Sequence, residues 1–130
     1  MDRERFQSLV AKAIEGLPGE FTDRMENVVV MVEDYPTANQ LAHAGLNRNQ
    51  TLLGLYEGVP ITRRGTNYNL VAPDKITIFQ KPIESRCRDD DEITAEIQRV
   101  VRHEIAHYFG MDDAALRKIE RAKYRRRGKV

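Results

Sequence analysis

The sequence predicts a single α+β domain in which a small sheet is flanked by helices. Three observations carry that expectation. Residues 2–16, and a longer stretch from the acidic run at 89–92 to about Phe109, place apolar side chains at helical spacing. Between them lie three short runs with strand character. The length, 130 residues, suits one core rather than two.

Each element has its own warrant. In residues 2–16, Phe6, Leu9, Val10, Ala13, Ile14 and Leu17 recur on one helical face, and Gly16 with Pro18-Gly19 ends the run. Residues 27–33 (NVVVMVE) are β-branched and apolar, which reads as a buried strand. Residues 34–50 contain Pro36, Asn39, Gly45, Asn47 and Asn49 and read as loop. A second short strand is expected at 52–56 (LLGLY), then a long polar loop to Pro73, then an alternating strand at 76–79 that ends near Pro82. Asp89, Asp90, Asp91 and Glu92 suit the positive end of the long helix that follows, and Gly110 is its stop. Asp112 is placed to cap a last helix over about 113–125. The order α-β-β-β-α-α is that of an α+β domain.

Composition narrows the class of protein. Hydrophobic residues at 41% and charged residues at 32% are the balance of a globular chain, not a disordered one. No apolar run approaches the roughly 18 residues that span a membrane. The first residues lack the apolar core of a signal peptide, and Cys87 stands alone, so neither a disulfide framework nor a cysteine-based metal cluster is expected. A cytoplasmic location is the expectation. A net charge of +1 hides a basic C-terminal segment, where residues 117–129 hold eight Lys or Arg against Glu120 alone.

The chemistry is concentrated in His103-Glu104-Ile105-Ala106-His107. Positions four apart on a helix lie about 40° apart around its axis. Both imidazoles therefore project from one face and can reach one ion, and neutral imidazole is a good zinc ligand. Glu104 lies beside that face, where a carboxylate can act as general base on a water without being a ligand. A catalytic zinc site usually takes three protein ligands and leaves one position open. Gly110 lets the chain turn back after the helix. Asp113 falls six residues beyond His107, the place of the third ligand in the extended HExxHxxGxxH pattern, with Asp instead of His.

These residues resemble the small bacterial zincin-like metallopeptidases, sometimes called minimal zincins. The resemblance spans nearly the whole chain. It includes Leu17-Pro18-Gly19-Glu20-Phe21, residues 28–34, Leu53-Gly54-Leu55-Tyr56-Glu57-Gly58, residues 76–79, and the specific block from His103 to Gly110 with Asp113. It implies a reduced zincin fold, with a three- to four-stranded sheet and HExxH on a long helix. It also implies zinc held by His103, His107 and Asp113, with Glu104 as the catalytic residue. The expected function is zinc-dependent hydrolysis of a peptide or protein substrate in a shallow groove, with an extended peptide adding to an exposed strand edge. No Met-turn is present after the motif, which departs from the larger zincins. Tyr56 and Tyr68 are candidates for the oxyanion donor.

Two other readings stand beside it. The spacing also resembles bacterial RNA-maturation metalloproteins with an HGxxHLxGxDH motif: Asp112 matches their Asp, and the basic tail suits RNA. Glu104 stands where they have Gly, and Asp113 where they have the third His. A non-catalytic, zinc-stabilised domain that binds a partner is the third reading. Nucleic-acid contact through Arg125-Arg126-Arg127 lacks the interleaved aromatics of a binding platform. His43 has no spaced ligand partner and is expected to be structural or solvated. Cys87, between Arg86 and Arg88, is either a lowered-pKa thiol or a plain loop residue. Arg63, Arg64, Asn67 and Tyr68 lie in the long loop, which either rims the groove or is ordinary surface.

Overall fold

A computed structural model describes residues 1–47, 50–59 and 72–110. The last helix, the basic tail, Asp112, Asp113 and the loop residues Arg63, Arg64, Asn67 and Tyr68 lie outside the described residues.

The first helix, α1 (Arg3–Glu15), is capped by Asp2, whose carboxylate accepts the N–H of Arg5 at 2.8 Å. A one-turn helix, α2 (Gly19–Thr22), and a 3-10 turn (Asp23–Met25) lead into strand β1 (Val28–Glu33). Helix α3 (Ala38–His43) follows, then β2 (Gly54–Glu57) and β3 (Asp74–Phe79). A short helix, α4 (Gln80–Glu84), turns the chain into the 19-residue α5 (Asp90–Tyr108). The α+β class is as expected.

The sheet order is β1-β3-β2, with β1 parallel and β2 antiparallel to β3. Strand alternation sorts the side chains. Val28, Val30, Val32, Ile76 and Ile78 face α1 and α5, forming one core with Phe6, Leu9, Val10, Ile93, Ile97, Val101 and Ile105. Helices α1 and α5 also meet where Gln98 donates to the carbonyl of Ala13 at 3.0 Å.

Three expectations are corrected. Residues 34–50 are not all loop, because Thr37 and Gln40 form a capping box that starts α3, and its Leu41 is buried. The NVVVMVE run is not buried on both faces: among the described residues β1 flanks the sheet, and Val29 and Met31, on the face away from the core, are 42% and 46% exposed. The third strand ends at Phe79 as read but starts earlier, at Asp74, and Pro82 lies not in a strand-ending loop but within α4. Proline is tolerated there because the N–H groups of a first helical turn lack helical partners anyway.

Candidate metal centre

Helix α5 has two chemically different sides. Ile97, Val101 and Ile105 are buried against the core, and Val100, also buried, lies one turn before Glu104 on the motif's own stripe. On the other side His103 and His107 are exposed and Glu104 is half-buried. Tyr108, the last residue of the helix, is 48% exposed. The helix is fixed at its start by Asp89, which accepts the N–H of Glu92 at 2.8 Å, with Asp90, Asp91 and Glu92 in the first turn. At its end Gly110 takes φ +67°, the left-handed conformation that stops a helix.

The expected geometry of the motif is present. The rings of His103 and His107 have centroids 4.3 Å apart. A ligand-capable atom from each of His103, Glu104 and His107 lies within 4.8 Å of the others. Two imidazole nitrogens and a carboxylate at that separation suit a divalent ion bound at about 2.0–2.1 Å per nitrogen. The three residues could therefore hold a metal. Whether Asp113 joins them lies outside the described residues.

Strand β2 runs alongside α5 in matched steps. Two strand residues rise about 6.6 Å and four helical residues about 6.0 Å, so contacts repeat in phase. Gly54 lies against Val100, Tyr56 against Glu104, and Gly58 against Tyr108. A Cβ at Gly54 would stand 2.5 Å from Val100 Cγ1, and one at Gly58 would meet the Tyr108 ring. The two glycines let the backbone approach the helix on either side of Glu104. Between them the N–H of Tyr56 donates to Glu104 Oε1 at 3.3 Å. This contact was missed at the level of sequence. Its signal is the pair of glycines two residues either side of Tyr56, in phase with Val100, Glu104 and Tyr108.

The direction of that N–H follows from the ladder. Leu53 offers its carbonyl to Phe79 N–H at 3.0 Å, so its neighbour Gly54, and Tyr56 after it, turn their backbone groups away from β3. They lie on the side of β2 away from β3, where Glu104 takes the Tyr56 N–H. Burial pushes the Glu104 carboxyl above its ordinary value, and the Tyr56 N–H, then His103 and His107, offset only part of that shift.

Tyr56 is otherwise engaged. Its ring stacks on Tyr108 at 3.9 Å, with Phe109 edge-on to both. Its hydroxyl donates to buried Asp74 at 2.6 Å, and the other Asp74 oxygen accepts Val59 N–H at 2.9 Å. The Tyr56 hydroxyl is thus directed at Asp74 and is not an oxyanion donor here; Tyr68 lies outside the described residues. His43 is exposed at the end of α3. The Cys87 thiol is pushed up by burial and by Glu96, Glu92 and Asp89, so it is not the lowered-pKa thiol considered from sequence.

Beside the histidines a groove of about 460 Å³ opens along β2. Its walls come from Ala44, Leu46 and residues 51–55, and from Arg99, Val100, His103, Glu104 and His107 of α5.

A family model for zincin-like metallopeptidases matches residues 25–123, from the turn before β1 to beyond Asp113. The chain belongs to that family. Among solved structures, this zincin-like chain is similar to a conserved hypothetical protein from Thermo thermophilus. The two are 20% identical, with a TM-score of 0.52, over 84% of this chain and 94% of that one. At this identity the likeness is one of fold. None of the curated proteins matches the zincin-like chain. No helix among the described residues is long and apolar enough to cross a membrane.

Proposed function

We propose that the protein is a zinc-dependent peptidase. The observation that carries this reading is the convergence of His103, Glu104 and His107 on one face of α5, beside a groove lined by residues 51–55 of the segment that enters β2. His103 and His107 hold the ion, with Asp113 as the third ligand. Bound there, zinc supplies a Lewis acid that polarises a scissile carbonyl and lowers the pKa of a water towards about 7.

The remaining chemistry belongs to the chain. Glu104 takes the proton of the attacking water and passes it to the leaving amine. Its carboxyl is held between helix and strand by the Tyr56 N–H on one oxygen, leaving the other to work on the water. Partial burial makes this carboxylate a stronger base than a solvated one. The backbone of Gly54, which lines the groove on the side of β2 away from β3, is suited to pair with an extended peptide and lay it across the histidines.

Zinc content and cleavage test the reading together. Protein purified without chelator is expected to hold about one zinc per chain, as three-ligand catalytic sites do. Glu104→Gln should keep that zinc and lose about 10²–10⁴-fold in peptide hydrolysis, the usual contribution of a general base. Asp113→Ala should weaken zinc binding strongly, while Asp112→Ala should cost about 0.5–2 kcal/mol of stability as a lost cap. Absence of zinc, or undiminished cleavage by Glu104→Gln, rejects the proposal. Glu104-dependent cleavage of RNA but not of peptides favours the RNA-processing alternative.

A further inference from the structure

We infer that the groove selects an extended peptide with a large aliphatic or aromatic side chain beside the scissile bond and a carboxylate about two residues away. This inference rests on the peptidase reading and specifies its substrate. Two features of the groove carry it.

The first is the apolar wall that includes Val100, one helical turn before Glu104, and Gly54 against it. Leu46, Leu52, Leu53 and Val100 line it together with Ala44 and Gly54. Gly54 is packed against Val100 where a side chain would stand, so it adds only backbone to the groove lining. A pocket of this kind gains little from a polar or small side chain and much from burying an apolar one. The groove's volume accommodates one large side chain with the backbone that bears it.

The second is Arg99, the one lysine or arginine among the described lining residues. It precedes His103 by four residues on the same helical face, which places it about 6 Å along the axis. An extended peptide advances about 3.3 Å per residue, so a carboxylate opposite Arg99 lies about two residues from the bond over the histidines. Arg99 Nε donates to Glu96 Oε1 at 2.9 Å, and its NH2 nitrogen meets the same oxygen. That exposed pairing occupies only part of the guanidinium fork. A guanidinium has five donors, so others remain for a second carboxylate. Its side chain is 49% exposed, open to the groove. The substrate carboxylate can be the peptide's own C-terminus or an acidic side chain; both offer the same planar anion to Arg99.

Binding is measured on zinc-loaded Glu104→Gln protein, so that preference is read whether or not the bond is cut. Glutamine retains an acceptor for the Tyr56 N–H. The probes are short fluorescent peptides with Leu or Gly at the central position. Two residues away they carry Glu, Gln, a free C-terminus or a C-terminal amide. Leu is expected to bind at least tenfold tighter than Gly. Loss of the carboxylate should cost about threefold to tenfold, and this loss should vanish in Arg99→Met, which keeps the side chain's length. Glu96→Gln, which frees the guanidinium, should strengthen carboxylate peptides alone. The Glu and free C-terminus arms tell which source is read. Equal binding of Leu and Gly peptides overturns the inference, as does a carboxylate effect that survives Arg99→Met, or no peptide binding at all. Retained, selective binding without hydrolysis by the wild type rejects the peptidase reading and leaves the groove's preference standing.

Discussion

Glu104 is the residue at which folding and chemistry pull in opposite directions. Its carboxyl is partly removed from water, which raises its pKa, and the Tyr56 N–H and the two imidazoles only partly offset that cost. A carboxyl whose folded pKa lies above its unfolded value binds protons more tightly when folded. Its stabilising effect is full below the unfolded pKa and is lost as pH rises through the folded one. Metal-free wild type should therefore melt below Glu104→Gln at neutral pH. The two should converge once the pH falls under the ordinary carboxylate value of 4.5. Melting curves in chelator across pH check this. A constant difference, or a lower melting temperature for Glu104→Gln at neutral pH, contradicts it. The residues of this motif were legible in the sequence because a helix converts a spacing of four into a shared face, with no help from the rest of the fold. The Tyr56 N–H was not, since a backbone group carries no letter.

Between elements, the decisive contact is that of β2 with α5. The strand's step of two residues and the helix's step of four nearly coincide, and glycine at 54 and 58 removes the side chains that would hold them apart. Gly54→Ala places a methyl 2.5 Å from Val100 Cγ1 and 3.3 Å from the Thr77 carbonyl. Overpacking of this kind costs about 1–3 kcal/mol. The strand should shift from the helix, stretching the Tyr56–Glu104 bond, so peptide hydrolysis should fall more than zinc affinity does. Adding Val100→Ala should restore part of both stability and activity. If Gly54→Ala is neutral in thermal melts and in hydrolysis, the close approach does not position Glu104. Sequence patterning located both elements but not their mutual register, because periodicity describes one segment at a time. The same restriction hid α3: its helical run is only six residues, and the capping box Thr37-x-x-Gln40 lay among loop-forming residues.

At the scale of the molecule, the apolar core and the metal centre are on opposite sides of α5. Phe6, Phe21, Ile76, Ile78, Ile97 and Ile105 are fully buried without any contribution from the histidines. The fold should persist when the metal is removed. Zinc should then raise the melting temperature by mass action, with about 2.7 kcal/mol of stabilisation at a free concentration a hundred times its Kd. Circular dichroism in chelator, with a zinc titration of the melt, checks this; loss of secondary structure on chelation would point to a structural site. By itself, the sequence determined the α+β class, both long helices, the three strands within a few residues, and the helical face that carries His103, Glu104 and His107. These are local consequences of apolar periodicity and helix termini, each written within a short stretch of chain. Only the tertiary structure decided that β1 and β2 flank β3, that β1 leaves Val29 and Met31 exposed, and that β2 brings a backbone N–H to Glu104 beside a groove. Those outcomes depend on pairing between residues dozens of positions apart, 56 with 104 and 54 with 100, and no single segment encodes them.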